Sequence, residues 1–319
     1  MEADWRDGVC RVAGALSMIR NVLVTGGTGF IGQHVVDELE QRGYQPTIFD
    51  HHRVLNAHTW TSVQAWKIGM GSTFLGDIRD PVAVTEAIAK HDAVIHLAGV
   101  LGTQETIRNP TPAVETNVLG GLNIFKACHQ YQRKCVYIAV GNHWMNNSYS
   151  ITKTTAERFA LMFNRELGTD ISVVRGLNAY GPGQKAEPVR KIMPNFILPA
   201  LRDEAITVYG DGSQIMDMIY VSDLAAILVN AMETPFNPHN PVIEAGTGRR
   251  TTVLEIAEEV VRQVGSGRIE HVPMRPGEPE NSIVLAHPDT IPWPVEFVSL
   301  EDGISRTVEY YRPHVKLAA

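Results

Sequence analysis

The sequence contains little cysteine, no long apolar run and no excess of positive charge. Its 319 residues include three cysteines, Cys10, Cys128 and Cys135, which cannot all pair, so buried free thiols are expected. No segment approaches the roughly 20 apolar residues of a membrane-spanning helix. The net charge of -7 disfavours nucleic acid and anionic membranes as partners. We expect a cytoplasmic protein in which residues 1–18 are an N-terminal extension rather than a signal peptide.

Short β-branched runs alternate with amphipathic segments in the first half of the chain, a pattern typical of a parallel sheet covered by helices. The predicted strands are 21–25, 46–50, 72–75, 93–97, 135–140 and 171–175, and the predicted helices are 31–42, 81–90, 112–131 and 150–167. After Arg175 proline and glycine become frequent, and two more helices are expected at 221–232 and 253–264. The predicted fold class is α/β, a doubly wound parallel sheet with a smaller C-terminal substrate-binding lobe.

A glycine-rich segment lies between the first predicted strand and the first predicted helix. Gly26, Gly29 and Gly32 would let the backbone approach a pyrophosphate at the positive N-terminus of that helix. Asp50 ends the second strand and would accept hydrogen bonds from the hydroxyls of an adenosine ribose. A carboxylate there repels a 2′-phosphate, so NAD is expected rather than NADP, although a nearby arginine, Arg53, would favour the phosphate.

Further motifs occur in order along the chain. They are Gly76-Asp77-Ile78, His96-Leu97-Ala98-Gly99, Asn117-Val118-Leu119-Gly120, Tyr149 with Lys153, Tyr220–Leu224, Gly246-Thr247-Gly248 and Arg275-Pro276-Gly277-Glu278. With these motifs, residues 19–312 resemble the extended short-chain dehydrogenase/reductase family and, within it, the NAD-dependent epimerase/dehydratase group. The resemblance implies a Rossmann fold, NAD as the cofactor and a nucleoside-diphosphate sugar as the substrate.

The resemblance also implies how the chain is divided and which residues hold the cofactor. We expect an NAD-binding domain of residues 19–177 with 219–248, and a substrate-binding lobe of 178–218 with 249–319. Asp77 and Ile78 would flank the adenine, and Asn117 would brace the active-site helix. The expected cofactor-binding residues are Gly26, Gly29, Phe30, Ile31, Gly32, Asp50, Asp77, Ile78, Leu97, Ala98, Gly99, Asn117, Tyr149 and Lys153.

Tyr149 and Lys153 are four residues apart, so on a helix their side chains project from the same face. A free tyrosine titrates near pH 10 and is a poor base at neutral pH. An adjacent ammonium favours the phenolate, so Lys153 is expected to lower the pKa of Tyr149 and to hold the nicotinamide ribose. The implied chemistry is removal of a sugar hydroxyl proton by Tyr149 while a hydride leaves the same carbon for NAD.

The sequence departs from its relatives after the fifth predicted strand. Relatives carry small hydroxyl residues there, whereas this strand is followed by Gly141-Asn142-His143. Asn142 is the expected catalytic replacement, and His143 or Thr103 could make the polar contact to the substrate instead. No Asp or Glu lies between Val136 and Lys153, which disfavours the elimination and decarboxylation that relatives perform with an acid in this segment.

Residues expected to bind the substrate lie mainly in the second half of the chain. Met216 replaces an arginine that contacts the substrate diphosphate in relatives, so Arg275 is expected to take that role, helped by Lys191 or Arg190. The expected substrate-binding residues are Thr103, His143, Asn178, Lys191, Tyr209 and Arg275. The histidines lack the spacing of a metal site, and no metal is expected.

The expected reaction is epimerisation of a nucleotide sugar, at C4 of a UDP-hexose or UDP-hexuronate. A nucleotide-sugar reductase or dehydrogenase is the alternative, and a catalytically weak NAD-binding protein is the third possibility. A homodimer is expected, because the predicted helices 112–131 and 150–167 carry more apolar residues than one buried face needs. Those apolar residues include Leu122, Phe125, Phe159, Leu161, Met162 and Phe163.

Overall fold

A computed structural model of the chain describes residues 19–51, 72–274 and 282–316. The N-terminal extension, Arg53 and Arg275 lie outside the described residues. The strands are β1 (Asn21–Thr25), β2 (Gln45–Asp50), β3 (Ser72–Leu75), β4 (Ala93–His96), β5 (Lys134–Val140), β6 (Ile171–Gly176), β7 (Asn178–Tyr180), β8 (Ala205–Tyr209), β9 (Ile215–Met216), β10 (Met218–Tyr220), β11 (Val242–Ala245), β12 (Thr251–Thr252), β13 (Arg268–Val272) and β14 (Ile283–Val284). The helices are α1 (Phe30–Gln41), α2 (Pro81–Ala89), α3 (Gly121–Tyr131), α4 (Ser148–Leu167), α5 (Ile192–Leu201), α6 (Val221–Glu233), α7 (Val253–Val264) and α8 (Leu300–Lys316).

Seven parallel strands form the central sheet in the order β11-β6-β5-β4-β1-β2-β3. Alternate residues of β1 enter different cores: Val22 and Val24 pack with α1 and α6, whereas Leu23 packs with α2, α3 and α4. Both faces of the sheet are therefore covered by helices, which accounts for the uniformly apolar strands. The α/β doubly wound prediction is confirmed.

The chain returns to this sheet after leaving it. Beyond β6 it passes through β7, α5, β8, β9 and β10, and then α6 packs against α1 and β11 pairs with β6. A separate core joins α5, β8, α7 and α8, and includes Met193, Ile197, Val208, Ile256 and Ile304. No helix in the part of the chain that the structure describes is long and apolar enough to span a membrane.

The predicted helix 112–131 is confirmed in extent, because residues 111–131 are helical throughout, but it is not of one helix type. A short turn at Thr111–Ala113 leads into a π-helical segment, Val114–Gly120, which continues directly into α3. The wider backbone of a π-helix is common at functional sites, and here the segment contains Asn117. Apolar periodicity does not distinguish the two helix types, because both place an apolar stripe against the sheet.

The apolar residues of this helix pair are also more buried than expected. Phe125 and Phe163 are core residues, and Leu122, Phe159, Leu161 and Met162 pack partly buried against the same core. The exposed apolar side chains on these segments are instead Val114, Leu119, Ile151 and Leu167.

Candidate active site

A cavity of about 1480 Å³ lies beyond the C-terminal ends of the central strands and extends to β8 and β9. It brings together the predicted cofactor residues Gly26, Gly29, Phe30, Ile31, Gly32, Asp50, Asp77, Ile78, Leu97, Ala98, Gly99, Tyr149 and Lys153. It is also lined by Thr103, Asn142, Asn178, Lys191 and Tyr209. Asn117 and His143 are not among the lining residues. Residues distant in sequence thus meet because parallel strands end at one edge of the sheet.

The glycine loop leaves no room for larger side chains. Gly26 has φ +72°, and a Cβ added to it would lie 2.7 Å from the backbone nitrogen of Ala98. A Cβ on Gly32 would collide with the carbonyl oxygen of Gly26. The loop is anchored to β2 by a 2.9 Å hydrogen bond from the Gly26 N–H to the Phe49 carbonyl. Gly29 caps α1 without a side-chain hydrogen bond, so no cap side chain satisfies the first N–H groups of the helix.

Asp50 lies beside this loop at the end of β2. Its Oδ2 accepts hydrogen bonds from the Thr28 hydroxyl and from the Thr28 backbone N–H, the latter at 3.2 Å. Its Oδ1 accepts one from the backbone N–H of His51 at 2.9 Å. These bonds fix the carboxylate at the cavity wall. Oδ2 already accepts two hydrogen bonds, and Oδ1, which accepts one, keeps lone-pair capacity for a further donor.

These features fit a dinucleotide. The glycine loop is a cradle that any Cβ would fill, and the N-terminus of α1 offers N–H groups suited to a pyrophosphate. The fixed carboxylate of Asp50 suits a ribose diol.

Asn117 connects three segments behind the cavity. Its Oδ1 accepts a 2.8 Å hydrogen bond from the Val100 N–H, and its Nδ2 donates to the Val100 carbonyl at 3.1 Å. The same Nδ2 donates to the Thr152 hydroxyl on α4 at 3.0 Å. Asn117 therefore ties the loop after β4 and the π-helical segment to α4, one residue before Lys153.

Tyr149 is half-buried at the cavity wall in the first turn of α4. Burial raises the pKa of its phenol to about 12. Burial disfavours the phenolate, so in the protein without its ligands the pKa of Tyr149 is raised rather than lowered. The lowering expected from Lys153 and the positive nicotinamide ring stays a prediction.

Lys153 is 4% exposed, and burial lowers the pKa of its ammonium to about 7, against a smaller raising influence from Glu157. Its Nζ lies over the ring of Tyr137, 4.3 Å from the ring centroid. Glu157, one turn further along α4, is held by two hydrogen bonds from Arg175 of β6, at 2.6 and 3.0 Å. Arg175 also pairs with Glu244 of β11 at 3.1 Å. A buried ion network thus anchors the active-site helix to two strands.

The segment after β5 contains Asn142 and His143, the two candidate replacements for the small hydroxyl residue that relatives carry there. Asn142 lines the cavity, and its Nδ2 lies 3.4 Å from the thioether of Met145, a weak acceptor. His143 lies outside the lining set, with its Nδ1 3.3 Å from the Gly141 carbonyl and its own carbonyl accepting from Thr154. The structure therefore does not bring His143 to the site, whereas Thr103 does line the cavity from the loop after β4.

Polar residues from the second half of the chain line the far side of the cavity. The Asn178 side chain donates to the Asp217 carbonyl at 3.0 Å, and Arg190 donates to the Tyr209 hydroxyl at 3.0 Å. Lys191 is half-buried, and burial lowers its pKa while the carboxylate of Glu105 raises it.

Three residues at or behind the site were missed by the sequence reasoning. Thr28 holds Asp50, Tyr137 lies beneath Lys153, and Glu105 adds a carboxylate to the cavity. A signal existed only for Thr28, which is part of the glycine loop. Glu105 comes from the loop after β4, whereas the acids of relatives are expected after β5. Among the described residues, no cluster of three or more His, Cys, Asp or Glu side chains could hold a metal ion.

The parallel sheet, the glycine loop at its centre and the Tyr149–Lys153 pair at one cavity define a dinucleotide-dependent enzyme of the Rossmann type. A sequence profile of the NAD dependent epimerase/dehydratase family matches residues 22–246, and the chain belongs to this family. NAD is therefore its cofactor, and the family resemblance inferred from the motifs is confirmed.

Similar proteins catalyse more than one reaction. The chain is 29% identical to a UDP-N-acetyl-alpha-D-glucosaminuronate decarboxylase of Bacillus cytotoxicus, over 92% of this chain and 98% of that protein. It is also 29% identical to a putative UDP-glucose 4-epimerase of Methanocaldococcus jannaschii, over 91% and 98%. The crystal structure of Thermus thermophilus UDP-glucose 4-epimerase in complex with NAD matches with a TM-score of 0.79 at 27% identity, over 92% and 99%.

Proposed function

We propose that this enzyme epimerises a nucleoside-diphosphate sugar at C4 through a transient keto-sugar. A UDP-hexose or UDP-hexuronate is the proposed substrate class, in keeping with the names of the similar proteins. The observation that carries the proposal is the Tyr149–Lys153 pair at a cavity running from the glycine loop to Asn178, Lys191 and Tyr209. The volume of about 1480 Å³ exceeds the roughly 300–1,000 Å³ of ordinary single-ligand pockets, which supports two ligands side by side.

We further propose a division of labour between the two parts of the chain. Residues 19–177 with 219–248 hold NAD, and residues 178–218 with 249–319 hold the nucleotide sugar. The proposal rests on the glycine loop and Asp50 lying at one end of the cavity, with β8 and β9 lining the other.

In the proposed mechanism, Tyr149 accepts the proton of the C4 hydroxyl while the hydrogen at C4 leaves as hydride. NAD, when bound, supplies the hydride acceptor and a positive ring. The keto-sugar then rotates in the site, and hydride is delivered to the other face of C4. Tyr149 returns the proton to the carbonyl oxygen in this step. Because burial raises the pKa of Tyr149 to about 12, the phenolate needs nearby positive charge, and the proposed source is Lys153, which lines the same cavity. Asn142 is proposed to hydrogen-bond the reacting hydroxyl.

A second candidate is decarboxylation of a nucleotide hexuronate after the same oxidation. Two observations favour it: the similarity to a decarboxylase and the carboxylate of Glu105 at the cavity. The absence of acids between Val136 and Lys153 disfavours this reaction but does not cover Glu105.

The test is incubation of the enzyme with UDP-, GDP- and dTDP-linked hexoses and hexuronates. The products are separated chromatographically, and their masses are measured by mass spectrometry. A product isomeric with its substrate, formed without net reduction of NAD, is expected. Loss of carbon dioxide would establish decarboxylation, loss of water would establish elimination, and net NADH formation would establish a dehydrogenase. Absence of any product would favour the catalytically weak NAD-binding protein.

Variants test the assigned residues on the substrate found in this way. Tyr149→Phe should lower turnover by at least ~10²-fold with NAD binding retained, because only the acid–base group is removed. Asn142→Ala should also lower turnover, whereas the matched His143→Ala should not, because only Asn142 lines the cavity. Full activity of Tyr149→Phe would refute the mechanism without affecting the family assignment.

A further inference from the structure

Lys153 contacts one aromatic side chain at both of its ends. The hydroxyl of Tyr137 donates a 3.0 Å hydrogen bond to the backbone carbonyl of Lys153, and the Tyr137 ring lies 4.3 Å below the Lys153 Nζ. Tyr137 is in the middle of β5 and is fully buried. The backbone of this lysine and its ammonium are thus held by the same rigid residue of the central sheet.

The ring is itself fixed by its neighbours. Phe125 of α3 meets it edge to face, with 5.5 Å between centroids, and His96 of β4 lies 5.6 Å away on another side. The His96 Nδ1 is hydrogen-bonded to the Thr25 hydroxyl at 2.7 Å. Burial, together with the charge of Lys153, lowers the pKa of His96 to about 3. His96 is therefore neutral and does not compete as a cation for the face of the ring.

We propose that Tyr137 is a positioning residue of the active site, which holds Lys153 by its carbonyl and keeps the ammonium charged by offering it a ring face. Resting on the proposed role of Lys153, this assignment gives the buried ammonium an attraction that opposes the lowering of its pKa by burial. An aromatic face attracts a cation, and the attraction grows when water is excluded. Glu157 is a weaker counter-ion than its position suggests, because Arg175 already binds both of its carboxylate oxygens.

The titratable groups around Lys153 lie on α4 itself and on three strands of the central sheet. They are Tyr149 and Glu157 of α4 itself, His96 of β4, Tyr137 of β5 and Arg175 of β6. Of these, Tyr137 is the group in contact with the ammonium whose removal alters no formal charge, so its effect is separable from simple charge deletion.

The experiment measures the pKa of Lys153 directly, independent of turnover. The whole protein is labelled with a trace of acetic anhydride at a series of pH values, and modification of the Lys153 peptide is followed by mass spectrometry. Only the neutral amine reacts, so the midpoint of the curve is the pKa. The variants are Tyr137→Phe, which keeps the ring, Tyr137→Leu, which removes it, and Phe163→Leu, which removes another ring of the same core.

Tyr137→Leu should lower the midpoint by about one pH unit, since a desolvated cation–π contact of roughly this strength is lost. Tyr137→Phe should leave the midpoint within a few tenths of a unit, and so should Phe163→Leu. An unchanged midpoint in Tyr137→Leu would overturn the proposal, as would an equal shift in Phe163→Leu, which would indicate a general effect of core packing.

A second series keeps the shape of the core and covers the case in which Tyr137→Leu does not fold. Phenylalanines with one, two and three ring fluorines are placed at position 137, so that the negative charge of the ring face falls stepwise. The midpoint for Lys153 should fall with each fluorine, and a constant midpoint would overturn the proposal. A failure of the proposed epimerase activity leaves both measurements intact, because neither uses a sugar.

Discussion

Asp50 shows how one side chain can be set by its neighbours before any ligand arrives. Thr28 holds one carboxylate oxygen and the backbone of His51 holds the other. The carboxylate is therefore oriented by the loop that we propose binds the pyrophosphate. Sequence spacing identified Asp50, but it could not show that a threonine of the glycine loop orients it.

We predict that Asp50→Ser weakens NAD binding at least ~10-fold, because hydrogen bonds to a charged acceptor contribute about 1.5–3 kcal/mol. NADP binding should weaken less or improve, since the charge that repels its 2′-phosphate is removed. Calorimetric titration with both dinucleotides measures the two affinities. Tighter binding of NADP than of NAD to the unmodified protein would contradict the assigned role.

Thr28→Val is the matched variant, because it removes the hydroxyl that holds Asp50 and leaves the carboxylate in place. It should weaken NAD binding by a smaller factor than Asp50→Ser. The order of the two losses separates orientation of the carboxylate from its presence.

At the scale of elements, α4 is tied to the sheet by charge as well as by packing. Glu157 is 3% exposed as a residue and forms a two-point contact with Arg175, which continues to Glu244 on β11. Neither partner is close to Glu157 in sequence. A spacing argument therefore had no basis for pairing them, although it placed α4 and β6 to within two residues.

We predict that Glu157→Ala lowers the free energy of unfolding by about 1.5–3 kcal/mol, because the partly buried Arg175 loses its two-point partner and keeps only Glu244. Urea denaturation followed by circular dichroism measures the loss. The control is Glu166→Ala on the same helix, whose pair with Arg165 is exposed and should contribute less than about 1 kcal/mol. Equal losses in the two variants would show that the buried network contributes nothing particular.

The sequence predicted the strands of the sheet better than it predicted the contacts between elements. Periodicity located six of the seven strands of the central sheet to within one residue, because their apolar runs report burial on both faces, but it did not predict β11. It missed the π-helical segment at Val114–Gly120, since apolar periodicity does not distinguish a π-helix from an α-helix. It also missed Tyr137 as part of the site, because a tyrosine in a buried strand gives no sign of which lysine lies above it.

At the scale of the whole molecule, the expected homodimer is still a prediction. The helix pair expected at the interface exposes Leu119 by 53% and Ile151 by 51%, whereas Phe125 and Phe163 are used in the core. The π-helical segment packs directly on α4, so these exposed residues lie on neighbouring elements.

We predict a homodimer at micromolar concentration, measured as twice the chain mass by light scattering. Leu119→Glu should shift the protein towards monomer, because a charge would be buried in an apolar interface. Ile283→Glu is the matched control, since Ile283 is 49% exposed on β14 and should leave the mass unchanged. A monomer mass for the unmodified protein would refute the prediction.

The pairing of β11 with β6 has a consequence for how the chain is made. During synthesis the first six strands of the sheet emerge in order, but their outer edge at β6 must wait for residues 242–245, some 65 residues later. Until then Arg175 lacks the carboxylate of Glu244, and before residues 221–233 are made α1 also lacks its partner α6. A nascent chain from which β6 has emerged but residues 242–245 have not therefore carries a sheet with an open edge, which is a template for pairing with another strand.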